Sequence, residues 1–187
     1  MRGRRGLIGL GSNVAERRAS LQAAVDALPG IGVEVLSSSS VYDTDPVGQV
    51  REQRSFLNAC LEIATALPPL DLLDAVKDLE RRLGRRGGGV RHGPRPIDID
   101  ILLLGDIELR HERMTLPHPE LFSRRFVLIP ALELDFELDF GERGRLSDAL
   151  SGLPPWDGVR WAGPPLRVGG AENGMSRPAA APGGRPS

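Results

Sequence analysis

One stretch of the chain decides its fold, residues 92–104, which read His92-Gly93-Pro94-Arg95-Pro96-Ile97-Asp98-Ile99-Asp100-Ile101-Leu102-Leu103-Leu104. Isoleucines alternate first with aspartates and then with leucines, and this period of two, rich in β-branched residues, predicts a strand. Asp98 and Asp100 would then share one face of the strand, about 7 Å apart. Two carboxylates in front of an apolar wall are costly unless positive charge lies beside them, so the pattern predicts a site for one or two hard divalent cations.

Arginines crowd the segment that leads into this strand. They are Arg81, Arg82, Arg85, Arg86, Arg91 and Arg95, interrupted by the run Gly87-Gly88-Gly89. A solvated helix end accounts for Arg81 and Arg82, but it explains poorly an arginine placed directly before the acidic strand. Mg²⁺ prefers oxygen ligands completed by substrate phosphates, and guanidinium groups bind phosphate oxygens. The aspartates and the arginines together therefore indicate a nucleoside triphosphate substrate.

A second strand, predicted over residues 55–63, carries a candidate binding face. Leu57, Ala59, Leu61 and Ile63 share its core face, and Phe56, Asn58, Cys60 and Glu62 share the other. An aromatic ring beside a carboxamide can stack on and hydrogen-bond a flat heterocycle, although such a pair also occurs where a strand packs against a loop. His118, fixed between Pro117 and Pro119, is a further candidate, and its alternative is a structural histidine.

The order of elements predicts the fold class. A strand from about Leu7 leads through a Gly-x-Gly turn into a helix that Asn13 and Glu16 would cap, an interpretation we prefer to a nucleotide-binding fingerprint because no third glycine follows. A strand at 33–42, the strand at 55–63, a helix at 69–83 ending at Gly84, the acidic strand and a hairpin strand at 107–109 come next. This order predicts an α+β protein, a ferredoxin-like sandwich with helices on a mostly antiparallel sheet.

Composition limits the class of protein. The 187 residues are 40% hydrophobic and 26% charged, with a net charge of −1 and one cysteine, which excludes an internal disulfide. We predict one domain over residues 1–162 and a disordered Gly/Pro/Ala-rich tail over residues 163–187. Because no run is apolar and long enough to span a membrane, we expect a cytoplasmic protein. The net charge of −1 gives no overall attraction to nucleic acid or to a membrane surface, so we expect neither as a partner. We also expect a monomer.

Several motifs together resemble the 6-hydroxymethyl-7,8-dihydropterin pyrophosphokinase family of the folate pathway. They are Arg91-His92-Gly93-Pro94-Arg95-Pro96-Ile97-Asp98-Ile99-Asp100-Ile101-Leu102, Gly11-Ser12-Asn13, the run Ser39 to Gly48, Phe56-Leu57-Asn58-Ala59, and Leu116-Pro117-His118-Pro119 with Arg124 and Phe126. The resemblance extends from residue 7 to residue 135. It implies transfer of pyrophosphate from MgATP to the hydroxymethyl group of the reduced pterin, with release of AMP.

The resemblance also implies a role for each matching residue. Asp98 and Asp100 would hold two Mg²⁺ ions, and the catalytic residues would be Arg85, Arg95, His118 and Arg124. Nucleotide binding would involve Glu80, Arg91, His92, Arg113 and Thr115. Asn58 would bind the pterin amide edge between Phe56 and Phe126, in a pocket lined by Thr44, Asp45 and Val47. No residue stands out as a general base, so positioning and electrostatics would carry most of the rate.

The chain departs from the family pattern at a few positions, and two other functions remain possible at this point. Gly87 stands where the family often has a second arginine, His92 where an aromatic residue is common, and Pro119 where some members have tyrosine. One alternative is another Mg²⁺-dependent phosphoryl-transfer enzyme, for which the Phe56, Asn58 and Phe126 set would have no use. The other is a nucleic-acid-binding module, which the net charge of −1 disfavours.

Overall fold

The computed structural model describes residues 3–46, 53–85, 94–134, 145–155 and 158–169. The strands are β1 (Arg4–Ser12), β2 (Val33–Ser38), β3 (Val41–Thr44), β4 (Phe56–Thr65), β5 (Asp98–Leu104), β6 (Leu109–His111), β7 (Met114–Leu116) and β8 (Val159–Gly163). The α-helices are α1 (Arg17–Ala27), α2 (Pro69–Arg82), α3 (Arg125–Leu132) and α4 (Leu146–Gly152), and short 3₁₀ helices cover Leu28–Ile31 and Pro119–Phe122.

Six strands form one sheet in which every described pairing is antiparallel. The strand order is β5-β1-β4-β3-β8, and β2 pairs with the far half of β4, beyond β3. Strands β6 and β7 form a separate two-stranded hairpin. The predicted α+β class, with helices packed on a mostly antiparallel sheet, is therefore confirmed.

The two faces of the sheet bury two hydrophobic clusters. The larger cluster packs α1 and α2 against one face through residues such as Leu21, Leu72 and Leu79. The smaller cluster packs α3 and α4 against the other face, where Leu128 and Leu146 lie with Leu7, Cys60, Leu102 and Leu103. The predicted alternation of β4 is confirmed, because Leu57, Ala59, Leu61 and Ile63 belong to the first cluster and Cys60 to the second.

Several predicted element boundaries differ from the structure. The strand predicted at 33–42 is divided into β2 and β3. Strand β2 pairs with residues 61–65 of β4 and β3 pairs with residues 56–58, so the pairing is interrupted between them. The hairpin strand predicted at 107–109 begins at Leu109 and pairs with β7. Helix α2 ends at Arg82, one residue before the predicted end at Leu83. Gly84 follows as the predicted capping glycine, and its φ of 97° is a left-handed conformation that glycine adopts easily. Glu16 occupies the N-cap position of α1 without a side-chain hydrogen bond, so the predicted capping by Asn13 is wrong.

The boundary predicted after residue 162 lies too early. Leu166 is only 3% exposed and belongs to the larger cluster. The Gln22 side chain on α1 donates to the Arg167 carbonyl at 2.8 Å and accepts from the Arg167 amide at 2.9 Å. Leu166 and the half-buried Val168 pack against the larger cluster, and hydrogen bonds to α1 and to Ser38 of β2 also hold this segment. These contacts are distant in sequence, so no local hydrophobic pattern reveals them. Residues 170–187 of the predicted tail lie outside the described residues.

Candidate active site

The two aspartates occupy the start of β5 as the alternation predicts. Ile99 and Ile101 are buried in the larger cluster, on the opposite face from Asp98 and Asp100. Asp98 lies opposite Gly11 of β1, and Asp100 lies opposite Gly9. The sheet therefore presents both carboxylates on the face that carries α3, next to a strand that has glycine at the neighbouring positions.

Gly11 lies between the carboxylates and the amide predicted to bind the heterocycle. In the antiparallel register Gly11 is opposite Asp98 on one side and opposite Asn58 of β4 on the other. Adjacent strands are about 4.8 Å apart, so Asn58 and Asp98 stand about 10 Å apart across β1. The Gly11 position between them has no side chain to fill that width.

Asn58 is held in one orientation by its neighbour on β3. Its Nδ2 donates to Thr44 Oγ1 at 2.6 Å, and the two residues are 9% and 2% exposed. Thr44 pairs in turn with Phe56, which places all three side chains on one face of the sheet. Because the amide nitrogen is engaged by Thr44, the Asn58 oxygen is directed toward Gly11, where it can accept a hydrogen bond from a ligand.

Two arginines neutralise Asp98. Arg85 Nη1 donates to Oδ1 at 2.5 Å and Arg95 Nη1 donates to Oδ2 at 2.7 Å. Arg85 is further paired with Glu80 at 2.6 Å. Both oxygens of one aspartate are therefore engaged by cations in the structure described, which agrees with the expectation that this carboxylate requires nearby positive charge.

Glu80 holds the backbone of β5 between the two aspartates. It is 2% exposed, and its Oε1 accepts hydrogen bonds from the Ile99 amide at 2.7 Å and from Lys77 Nζ at 2.9 Å. Lys77 Nζ also donates to the Ile99 carbonyl at 3.2 Å. Glu80 was predicted to act in nucleotide binding, and its observed contacts are those of a residue that positions β5.

The pKa of Asp100 is raised to about 6. The main cause is loss of hydration by the surrounding protein atoms, and the charge of Asp98 raises the pKa further, while Lys77 lowers it. The residue nevertheless presents a large part of its surface to solvent. Asp100 is thus an accessible carboxylate in a crowded, negatively charged position, which a cation would favour in its ionised form.

His118 is fixed by its backbone and by one ring nitrogen. Its amide donates to the Leu102 carbonyl at 2.7 Å, and its Nδ1 accepts from the Glu120 amide at 3.2 Å. Burial lowers the pKa of the ring, so the imidazole is neutral at pH 7 and carries its proton on Nε2. Because Leu102 stands two residues after Asp100 on β5, the bond to its carbonyl places His118 beside the strand that carries the two aspartates.

Arg124 and Phe126 stand at the start of α3. Arg124 forms an ion pair with Glu120, and its guanidinium lies 5.4 Å from the centroid of the Phe126 ring. Helix α3 contacts β3 and β4 on the face that carries Asn58. The structure therefore brings Phe126, predicted to stack on the pterin, and Arg124, predicted to be catalytic, to the side of the sheet that carries Asn58.

Of the remaining predicted residues, three are described by the structure and three are not. Arg113 and Thr115 lie on the β6–β7 hairpin, where Arg113 is paired with Asp74 of α2. Asp45 follows β3, and its carboxylate is paired with Arg160 of β8. Val47, Arg91 and His92 lie outside the described residues.

The sequence analysis gave Asn13 a helix-capping role and a place in the motif Gly11-Ser12-Asn13, but it did not predict the contacts of Asn13 with the site. Asn13 is 1% exposed. Its side-chain Oδ1 accepts from the Arg95 backbone N–H at 2.8 Å, and its backbone N–H donates to the Arg95 carbonyl at 3.2 Å. Its Nδ2 donates to Gln53 Oε1 at 2.9 Å. Asn13 thus joins the segment before β4 to the segment before β5, a link between residues too distant in sequence for a local pattern to show.

Comparison with known proteins settles the family. Residues 7–136 match the model of the 7,8-dihydro-6-hydroxymethylpterin-pyrophosphokinase (HPPK) family. The chain belongs to the HPPK family. The predicted class of enzyme, a pyrophosphokinase of folate biosynthesis, is confirmed by this match together with two bacterial relatives.

Both bacterial relatives are named 2-amino-4-hydroxy-6-hydroxymethyldihydropteridine pyrophosphokinase. The one from Bacillus subtilis is 43% identical over 154 residues, 82% of this chain and 87% of the relative. The one from Pseudomonas aeruginosa is 38% identical over 148 residues, 79% of this chain and 90% of the relative. The HPPK match therefore extends over nearly the whole of these two proteins.

Other HPPK relatives are longer than this chain. It is 38% identical over 128 residues to a folate synthesis bifunctional protein of Arabidopsis thaliana, which is 68% of this chain but only 26% of the relative. A solved HPPK-DHPS structure from Plasmodium falciparum matches 80% of this chain and 45% of that chain, with 13% identity and a TM-score of 0.63. At that identity the structural match supports the fold alone.

Two further observations concern the described residues only. Within the described ranges no helix is long and apolar enough to cross a membrane. In the same part of the chain no group of three or more His, Cys, Asp and Glu side chains gathers as a metal site.

Proposed function

We propose that this chain transfers the terminal pyrophosphoryl group of ATP to the hydroxymethyl group of 6-hydroxymethyl-7,8-dihydropterin, giving AMP and the pterin diphosphate. The observation that carries this proposal is the row Asn58, Gly11 and Asp98 across three adjacent strands. It sets a hydrogen-bonding amide on one side of an open strand and a carboxylate pair on the other. One side suits a flat acceptor and the other a charged phosphate chain.

The acceptor would lie against Asn58. The Asn58 oxygen, fixed by the bond to Thr44, accepts a hydrogen bond from an N–H on the edge of the pterin ring. Phe56 and Phe126 would stack on the ring, and Thr44, Asp45 and Val47 would line the pocket. In this orientation the hydroxymethyl group extends across Gly11 toward Asp98 and Asp100.

The carboxylate pair fits Mg²⁺. Both residues supply hard oxygen ligands on one face, and the two arginines on Asp98 show that this position favours positive charge. Asp98 and Asp100 would hold two Mg²⁺ ions together with the phosphates. When bound, the ions would neutralise and orient the triphosphate, the role available to a two-metal site.

The arginines would exchange one anion for another. Arg85 and Arg95 lie on Asp98 in the structure described, and the same guanidinium groups can donate to phosphate oxygens once a cation takes over that carboxylate. His118 offers Nε2–H as a neutral donor, and Arg124 offers a further cation. Arg113 and Thr115, together with Arg91 and His92, complete the proposed nucleotide contacts.

The reaction needs few chemical groups from the protein. The hydroxymethyl oxygen attacks the β-phosphorus, the bond from that phosphorus to the α-phosphate oxygen breaks, AMP leaves, and the hydroxyl proton is released. No described side chain is placed as a general base for that proton. We therefore propose that positioning and charge stabilisation supply most of the rate.

The proposal includes two expectations taken from the sequence, that the enzyme is a monomer and that it acts in the cytoplasm. Light scattering coupled to size-exclusion chromatography measures the first. Fluorescence microscopy of a tagged chain in its own cell tests the second.

The direct test is an assay of purified protein with ATP, Mg²⁺ and the hydroxymethyl dihydropterin. We expect AMP in amounts that depend on the pterin. A dihydropterin with a 6-methyl group in place of the hydroxymethyl group is the matched control, since it keeps the ring but has no attacking oxygen. Formation of ADP, or AMP formation that does not depend on the pterin, would contradict the proposed function.

A further inference from the structure

We propose that Gly11 is a specificity-determining position that sets the depth of the acceptor pocket. Glycine at this position leaves the space in which a flat ring passes from Asn58 toward Asp98. The inference rests on the proposed function, because it assumes that the acceptor lies across β1.

Three side chains of the candidate site, those of Asn58, Asp98 and Phe56, lie close to Gly11. A methyl group at this position would lie 3.1 Å from Asn58 Oδ1 and 3.8 Å from both Asp98 Cβ and Phe56 Cδ1. The distance to Asn58 is tighter than ordinary van der Waals contact, whereas the other two are ordinary. A side chain at residue 11 would therefore press first on the amide that binds the acceptor.

Asn58 has little room to give way. Its Nδ2 bond to Thr44 Oγ1 measures 2.6 Å, and Asn58 and Thr44 are 9% and 2% exposed. To relieve the contact, the amide would have to turn and break that bond, which would leave buried polar atoms without partners. A methyl group would thus both occupy the path of the ring and disturb the oxygen that receives its hydrogen bond.

Backbone conformation does not require glycine at residue 11. Among the described residues, the glycines with φ in the left-handed region are Gly32, Gly84, Gly105 and, at its extended edge, Gly163, and Gly11 is not among them. The structure gives Gly6 a different reason for lacking a side chain, since a methyl group there would lie 2.6 Å from the Leu103 carbonyl oxygen. What remains for Gly11 is the close approach of its Cα to Asn58 Oδ1.

Gly9 provides a matched control on the same strand and face. A methyl group on Gly9 would meet the Leu102 side chain at 3.5 to 3.7 Å, which is ordinary contact. Gly9→Ala and Gly11→Ala therefore add the same atom to the same strand, one against an apolar side chain and the other against the acceptor amide.

The experiment compares wild type, Gly11→Ala and Gly9→Ala. Steady-state kinetics give KM for the pterin and for ATP, calorimetry gives Kd for a non-hydrolysable ATP analogue with Mg²⁺, and thermal unfolding gives Tm. We expect Gly11→Ala to raise KM for the pterin, and so to lower kcat/KM for it, by about 10- to 100-fold, the usual effect of one methyl group in a binding pocket. Nucleotide Kd should stay near the wild-type value, and Tm should fall by about 2–12 °C, the effect of losing one buried hydrogen bond. Gly9→Ala should match wild type throughout.

Each other outcome has a defined meaning. If wild type shows no pterin-dependent AMP formation, the proposed function fails before this inference is tested. If wild type is active and Gly11→Ala keeps its pterin KM, the inference alone is wrong. A Gly11→Ala variant that loses nucleotide affinity, or that unfolds where Gly9→Ala does not, would also overturn it, because the methyl group would then act on the sheet itself.

Discussion

Replacement of Glu80 by alanine tests whether α2 holds β5, the strand of Asp98 and Asp100, in place. The Ile99 amide donates to Glu80 Oε1 at 2.7 Å, and Ile99 is 1% exposed, so the alanine variant leaves a buried N–H without its acceptor. A loss of this kind costs about 1–3 kcal/mol. Because Ile99 stands between Asp98 and Asp100, we expect the loss to move both carboxylates.

The same substitution removes the carboxylate from two cations. Lys77 and Arg85 pair with Glu80 at 2.9 and 2.6 Å, but their side chains are 35% and 30% exposed, so water takes over part of the interaction. We assign about 1 kcal/mol to this loss, near the upper limit for a solvated pair. The total is about 3 kcal/mol, which lowers Tm by about 6–12 °C in a protein of this size.

Urea denaturation and thermal unfolding measure the stability change, and turnover is compared at a temperature where both proteins are folded. We expect kcat of Glu80→Ala to fall by at least about 10-fold, the result of misplaced groups in an active site. Glu80→Gln keeps an oxygen for the Ile99 amide and should lose less stability than Glu80→Ala.

Asp78→Ala is the matched control, because Asp78 pairs with Arg81 on the same helix while both side chains are about 60% exposed. Its unfolding free energy should change by less than about 0.5 kcal/mol. The reasoning is refuted if Glu80→Ala stays within that limit, or if the glutamine and alanine variants are equally destabilised.

Three further predictions concern the site itself. Asp98→Asn should abolish turnover and leave the circular-dichroism spectrum unchanged, and near-normal activity would remove the metal assignment. Because the pKa of Asp100 is raised to about 6, Mg²⁺-dependent nucleotide affinity should weaken as the pH falls below about 6. In the metal-free protein the raised pKa means that the contribution of Asp100 to stability is present at low pH and is lost as the pH rises toward 6. Between pH 4 and 8, calorimetry should therefore show nucleotide affinity rising with pH, and urea unfolding of the metal-free protein should show this contribution to stability falling. Asn13→Asp keeps the acceptor for the Arg95 amide but loses the donor to Gln53, so it should retain more activity than Asn13→Ala, and equal loss would contradict the role of the Arg95 contact.

Features that depend on neighbouring residues were predicted correctly, and features that depend on pairing between distant residues were missed. The alternation in residues 97–101 was enough to place Asp98 and Asp100 on one face, because side-chain direction in a strand depends only on the backbone period. The faces of β4 were predicted for the same reason. The capping glycine Gly84 after α2 was predicted from another local property, the ease with which glycine adopts a positive φ. The division of residues 33–44 into two strands was missed, since it depends on which part of β4 each half meets.

The contacts that make the candidate site were decided by tertiary structure. Gly11 lies between Asn58 and Asp98 because β1 is inserted between β4 and β5, and that strand order is not written in any one segment. The contact of Glu80 with Ile99 spans 19 residues, and that of Asn13 with Arg95 spans 82. By itself the sequence predicted which residues would carry the chemistry, and it determined which face of β4 and of β5 they occupy. Only the packed sheet decided their distances and partners, because strand pairing joins residues through space that no local pattern relates.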